Sequence, residues 1–501
     1  MKYKRSSGLL MPLSSLPSKW GIGDFGKGAF DFLDFLKASE QTYWQILPLS
    51  LTDPYTGNSP YNSPSAFAID PDYINPDLLL EEGLVDIEDL ENIPNFSEGT
   101  VDYKMVRKAK GKINRKAFAR FMDRNGQKGN NYISFCEEND YWLRDLCLFF
   151  SIREKLGPLE WQKWPDKLKN RDKDQLEQVE KEKIETFEYC RFLQYKAAEQ
   201  WSAVRRKCAS ENIKIIGDIP IYVSLDSPDV WGNRHLFQLD SRGYPMEVGG
   251  VPPDYFSETG QLWGNPLYDW GEMENDSFRW WLARIRRNLA LCDLIRVDHF
   301  RGLVQYWAVP SGHENAINGR WRPVPVMELF ESISREFGEI PLVAENLGII
   351  TEDVTEVMEK LGLPGMLVLQ FSFSEDFPQN PYAPHNHGRN NFVYTGTHDN
   401  STTREWFTHE ASDNAKRIFR LYTGKDINDE NAAMELMRLS MNSVAHTSIT
   451  PVQDILNLGR EARMNRPSVR YNNWEWRARA GMLDRKISER LREMTRISGR
   501  N

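Results

Sequence analysis

The sequence predicts an α/β chain folded as a (β/α)8 TIM barrel with large, mainly helical insertions on its C-terminal face. Eight short apolar runs recur along the 501 residues, and amphipathic helical patterns lie between several of them. Continuous apolar strands alternating with helices imply parallel strands covered on both faces, and eight such units suit a closed barrel. In addition, acidic residues end several of the runs, on the side where barrel active sites sit.

The eight runs are "GLLMPLSS" (8–15), "YWQILPL" (43–49), "IKIIGDIPIYV" (213–223), "CDLIRVDHF" (292–300), "PLVAENLG" (341–348), "MLVLQFSF" (366–373), "NFVYTGTHD" (391–399) and "HTSITPVQDIL" (446–456). Helical spacing of apolar residues marks 28–39, 278–291, 326–337 and 352–362. The barrel is therefore expected over 1–50 and 211–501. Residues 51–210 are expected to form a mainly helical insertion subdomain that opens on a Pro/Gly/Ser-rich loop. Within it, "YKMVRKAKGKINRKAF" (103–118) reads as an exposed basic helix, and the mixed charges of "DKLKNRDKDQLEQVEKEKIETFEY" read as a solvated helical face. A second interruption, 224–275, is rich in Gly, Pro and aromatic residues. It reads as an active-site loop inserted in the barrel, because long barrel loops carry function.

Composition narrows the chemistry. A net charge of −9 offers nothing to offset phosphate repulsion, which argues against a nucleic-acid partner. No stretch approaches the ~18–20 uninterrupted apolar residues of a membrane span. The N-terminal apolar run is too short for a signal peptide and is broken by Pro12, Ser14 and Ser15. Five cysteines (Cys136, Cys147, Cys190, Cys208 and Cys292) include no C-x-x-C pair, so neither a disulfide framework nor a zinc knuckle is indicated. A reducing, cytoplasmic location is expected. Sixteen tryptophans are many for this length. They imply a large aromatic core together with flat faces of the kind that sugar rings stack on.

The stretch "DLIRVDHFRG" (293–302) places Arg296 and Asp298 on one face of a strand end. A lone pair of this kind is ordinarily structural. Here four acids end separate predicted strands: Asp218, Asp298, Glu345 and Asp399. Converging on one barrel face they would repel one another unless paired or used. Two carboxylates about 5 Å apart serve retaining glycoside chemistry, one as nucleophile and one as acid. Arg296 would keep Asp298 ionised, and desolvation after "PLVA" would raise Glu345 so that it starts as the acid. Asp399, beside His398, could hold ring hydroxyls and stabilise an oxocarbenium-like transition state.

The segments "SSLPSKWGIGDFG" (14–26), "SPYNSPSAFA" (59–68), "GDIPIYV" (217–223), "GQLWGNPLY" (260–268), "RVDHFRG" (296–302), "AENLG" (344–348), "TGTHDN" (395–400) and "RMN-P…NWEWR" (463–477) together resemble the 4-α-glucanotransferase family (amylomaltases, or disproportionating enzymes), relatives of the α-amylase superfamily, over nearly the whole chain. The resemblance implies Asp298 as nucleophile, Glu345 as general acid/base and Asp399 as transition-state stabiliser. It places Arg296, His398, Asp218 and Tyr61 around the attacked glucose. Ser59, Gln261 and Trp263 would contact neighbouring sugars, and Asn465 would also contact substrate. One departure is the loop "RPSVRYNNW", where Ser468 and Val469 follow the proline in place of the family's Gly-Thr. Asn472 stands there in place of the glycine before "NW", which restricts the loop backbone.

Rival chemistries are weaker. "HNH" (385–387) lies in a loop rather than at a strand end, and "DINDENAAM" (426–434) lacks the glycine and closing glutamate of a calcium loop. "GIGDFGKG" (21–28) lacks the context of a dinucleotide fingerprint and reads as a tight turn bordering the site. No metal and no cofactor are expected. The expected activity is transfer of α-1,4-glucan segments from a donor maltodextrin to the 4-hydroxyl of an acceptor glucan or glucose, through a covalent glycosyl-aspartate. The expected partners are α-1,4-glucans and malto-oligosaccharides, with neither nucleic acid nor membrane. An α-glucan hydrolase with the same acids, and a non-catalytic α-glucan-binding barrel, are the alternatives.

Overall fold

The computed structural model describes residues 4–91, 93–253, 257–339, 341–348, 350–467 and 469–501. In chain order the strands are β1 (Ser6–Leu10), β2 (Tyr43–Gln45), β3 (Lys214–Ile219), β4 (Glu247–Val251), β5 (Gln261–Pro266), β6 (Leu294–Val297), β7 (Gln305–Pro310), β8 (Arg320–Pro323), β9 (Leu342–Ala344), β10 (Gly365–Val368), β11 (Asn391–Tyr394) and β12 (Thr447–Pro451). Eight of them form one parallel sheet in the order β10-β11-β12-β1-β2-β3-β6-β9. Each of the eight predicted runs supplies one of these strands, and the chain is a (β/α)8 barrel.

Most residues of these strands are buried, as in β6 and β10, where all four are. That explains their unbroken apolar character. The seam between β9 and β10 is closed by few bonds. The Ala344 N–H donates to the Pro364 carbonyl (2.9 Å), and the Met366 N–H donates to the side-chain oxygen of Asn346 (2.8 Å). An added Cβ at Gly365 would meet that same oxygen at 2.8 Å. A three-residue strand needs such an amide clip to complete the ring.

The four predicted barrel helices lie at Lys27–Ala38, Arg279–Leu291, Val326–Phe337 and Glu352–Leu361. Glu352–Leu361 stops at Gly362, whose φ of +64° is left-handed, a common helix ending. Between β2 and β3 run the long helices Tyr103–Asp123, Asn130–Leu156 and Ile184–Ser210. The last also packs on the barrel, where the Trp201 ring lies 6.3 Å from that of Trp44 in β2. Most tryptophans are buried core.

Two expectations are corrected. The helix over 103–118 is not simply exposed. Lys110 is buried and pairs with buried Asp24 at 3.2 Å, and its ammonium also donates to the carbonyls of Asp72 (2.6 Å) and Ile74 (3.1 Å). Asp24 belongs to the glycine-rich "GIGDFGKG", which is thus a turn anchored under the helical segment. None of its residues lines the cleft described below. The region 224–275 is also more than a loop: β4 and β5 join β7 and β8 in a four-stranded antiparallel sheet, ordered β5-β4-β7-β8. "EVGGV" and "RWRP" carry too few apolar residues to register as strands. Part of this region, 254–256, lies outside the described residues.

His387 Nε2–H donates to the Tyr382 carbonyl (2.9 Å) and its Nδ1 lies 2.7 Å from Ser443 Oγ, and His385 lies against Tyr422 and Pro378. The "HNH" pair is thus used in local hydrogen bonding. Among the described residues, no helix is long and apolar enough to cross a membrane.

The buried Lys110–Asp24 pair generates a stability prediction. Lys110→Met leaves a buried carboxylate without its cation, which costs about 3–5 kcal/mol. Urea unfolding should show a markedly lower midpoint, whereas Lys27→Met, at a surface pair with Asp31, should leave the midpoint nearly unchanged.

Candidate active site

Arg296 and Asp218 are register partners on neighbouring strands β6 and β3. Both are almost fully buried, and Arg296 Nη1 donates to both Asp218 oxygens at 2.9 and 2.7 Å. Its Nη2 lies 2.9 Å from Asp298 Oδ1. Burial alone would lower the guanidinium's pKa, but Asp218 and Asp298 raise it well above its ordinary value. One buried cation therefore holds two of the four strand-end acids. Burial pushes Asp218 up to about 6, against the pull of Arg296 and the phenol donor of Tyr61.

After Asp298 the backbone turns sharply. His299 has a φ of +51°, a left-handed conformation that histidine tolerates better than most side chains. The turn aims the His299 N–H at Glu345 Oε2 (2.7 Å), and the Leu347 N–H donates to Oε1 (2.7 Å). Burial pushes the Glu345 carboxyl up to about 7. Asp298 adds to the rise, while Arg296 and the two backbone donors oppose it. The His299 imidazole, driven down to about 4 by burial, is neutral and packs edge-on to Trp263 of β5, with centroids 4.9 Å apart.

Asp399 follows β11 on the other side. Burial would raise its carboxyl, but His398 Nε2, 3.3 Å from Oδ2, and Asn465 Nδ2, donating to Oδ1 at 2.6 Å, hold it well below the usual carboxylate range. His398 is raised in turn by Asp399 despite its burial. The His398 ring stacks on Tyr61 (5.0 Å, 16°), and the Tyr61 hydroxyl donates to Asp218 Oδ2 at 2.8 Å. Trp474 tilts against both rings at 5.7 and 5.9 Å.

These groups open into a cleft of about 730 Å³ lined by Ser59, Tyr61, Gln261, Trp263, Asp298, His398, Asp399 and Asn465. Asp218 and Arg296 are bonded to the lining residues Tyr61 and Asp298, and Glu345 is bonded to the N–H of His299, next to Asp298. All the residues singled out from sequence thus meet in one place. Trp474, Asn346 and His299 were not singled out. Each lies inside a quoted motif, but only the folded backbone shows what it touches. In the altered loop, Asn472 sits at φ +63°. Asparagine replaces the glycine while keeping the left-handed backbone, which asparagine tolerates, and the Asn465–Asp399 bond is intact. Ser468 lies outside the described residues.

The arrangement supplies three carboxyls in distinct settings: one on a cation, one raised to about 7 and one firmly ionised. The family model described as 4-alpha-glucanotransferase matches residues 11–483. The 4-alpha-glucanotransferase of Clostridium butyricum is 43% identical over 98% of this chain and all of that protein. That of Thermus thermophilus is 41% identical over the full length of both. Among solved structures, amylomaltase from Streptococcus agalactiae in complex with acarbose superposes with a TM-score of 0.95. It is 36% identical and covers 99% of this chain and 100% of its own. The chain belongs to the 4-alpha-glucanotransferase family.

Proposed function

We propose that the enzyme moves α-1,4-glucan segments from a donor maltodextrin to the 4-hydroxyl of an acceptor by retaining double displacement. Asp298 attacks the anomeric carbon while Glu345 protonates the departing oxygen. A covalent glycosyl-aspartate results, and Glu345, now a carboxylate, deprotonates the incoming 4-hydroxyl. The observation that carries this reading is the split between neighbouring acids. Asp298 rests on the buried Arg296 cation, whereas Glu345 is held near pH 7 by burial and by its charged neighbour. One carboxyl is thereby kept as nucleophile and the other as a proton donor of near-neutral pKa, which general acid catalysis favours.

Asp399, kept ionised by His398 and Asn465, stabilises positive charge developing on the sugar ring. Tyr61 and Trp474 offer aromatic faces beside it. Ser59, Gln261 and Trp263 extend the cleft for further sugar units. Malto-oligosaccharides are the ligands that such a set of rings and neutral hydrogen-bonding groups suits. The acarbose complex of the Streptococcus agalactiae amylomaltase is consistent with that. The β4–β5–β7–β8 sheet, bearing Gln261 and Trp263 on β5, walls the cleft and limits water at the intermediate, which favours transfer over hydrolysis.

Incubation with maltotriose should yield glucose and a ladder of longer maltodextrins, resolved by chromatography; only glucose and maltose would replace the transferase reading by a hydrolase. The acid form of Glu345 is lost as pH rises through about 7, so kcat/KM for maltotriose should fall on that alkaline side. A glucosyl fluoride, whose leaving group needs little protonation, should lack that limb in its first step. In Glu345→Gln, turnover of maltotriose should drop about 10²–10⁴-fold, while the fluoride still forms the ester and resolves it slowly. Peptide mass spectrometry should then find a glucosyl mass on the fragment containing "RVDHF"; a label on Asp399 or Asp218 would overturn the assignment.

A further inference from the structure

A second pocket, of about 430 Å³, lies between the helical segment and the barrel, away from the acids. One wall is the segment 65–67, and Tyr61 and Ser59 of the cleft lie just upstream in the same loop. Its apolar side is an aromatic cluster. Phe67 stacks parallel to Trp142 (6.3 Å, 13°) and meets Tyr141 and Trp280 edge-on, each at 5.9 Å and 86°. Tyr141 is 49% exposed, so its ring faces solvent beside the pocket.

The charges around this pocket are largely paired. Asp145 pairs with Arg171 at 2.7 Å, Asp276 with Arg279, and Arg286 with Glu336. Asp229 Oδ2 accepts the Ala66 N–H at 2.9 Å, which ties the pocket wall to the loop that carries Tyr61. Three groups are left over. The Tyr141 hydroxyl, the His235 ring and the Asn233 amide oxygen have no hydrogen-bond partner among the described residues. An anion or cation would gain little here. An uncharged polyhydroxylated ring, stacked on Tyr141 and bonded by these three groups, fits the chemistry.

We propose that this pocket is a second carbohydrate-binding site, which holds a remote part of a long α-glucan while the cleft acts on another. The glucan as ligand rests on the function proposed above. Anchoring at a second point raises the effective concentration of long chains at the cleft and leaves short ones unaffected.

The test uses the full chain carrying Glu345→Gln, so that maltoheptaose is bound but scarcely turned over, and reads binding by calorimetry. Two classes of site are expected. Adding Tyr141→Ala should weaken one class on the order of tenfold and leave the other alone. His235→Ala, at an exposed position, should weaken the same class and guards against a folding defect in the tyrosine variant. In the otherwise native enzyme, Tyr141→Ala should raise KM for long amylose and leave KM and kcat for maltotriose unchanged. A single class of site that neither variant alters, or equal effects on amylose and maltotriose, would overturn the second site alone. No maltoheptaose binding at all in Glu345→Gln would instead bring down the function proposed for the cleft.

Discussion

The buried guanidinium of Arg296 is the constraint on which the site depends. It can be buried only because carboxylates replace its hydration, and Asp218 and Asp298 do so from two strands. In the other direction, four acids at one barrel mouth are tolerable only because Arg296 and His398 stand among them. Burial, with the nearby charge of Asp298, raises Glu345 to about 7 despite Arg296 and the two backbone donors. Burial of Glu345, set against the His398 and Asn465 bonds that hold Asp399 ionised, thus separates one carboxyl of the mouth from another.

The backbone supports this division. A left-handed residue other than glycine is costly, yet His299 adopts that conformation between the nucleophile candidate and the strand that follows. The turn it makes lets one N–H reach Glu345 while Asp298 stays on Arg296. Its neutral imidazole then packs against Trp263 of the smaller sheet, so the sheet walling the cleft and the acids are connected through one side chain. Strain of this kind persists only where surrounding packing over-determines it, and here Trp263 and Gly302 enclose the ring.

Around the acids the rings form a layered wall. Tyr61 comes from the loop after β2, His398 from the loop after β11 and Trp474 from near the C-terminus; the first two stack and the third tilts against both. Two of them are held by a polar anchor as well: Tyr61 by Asp218 and His398 by Asp399. Segments far apart in the chain are thereby locked into one surface, and the Lys110–Asp24 pair does the same between the helical segment and the turn after β1.

The barrel was legible in sequence because strands buried on both faces must be continuously apolar, and each of eight such runs became a strand. Asp218, Asp298, Glu345 and Asp399 were legible as a set because each ends a run, and the barrel brings all such ends together. What sequence could not reveal depends on partners distant in the chain. Lys110 looked like one more surface lysine, since nothing local distinguishes it from its neighbours before Asp24 is brought beneath it. The β4–β5–β7–β8 sheet was hidden because its strands draw stability from one another rather than from their own apolar content. A raised Glu345 was expected from its apolar run, but the backbone donors that face it, the Asn465 bond to Asp399, and the contacts of His299, Asn346 and Trp474 were decided by tertiary structure alone. Desolvation, charge proximity and the direction of a backbone N–H exist only once separate strands share one mouth.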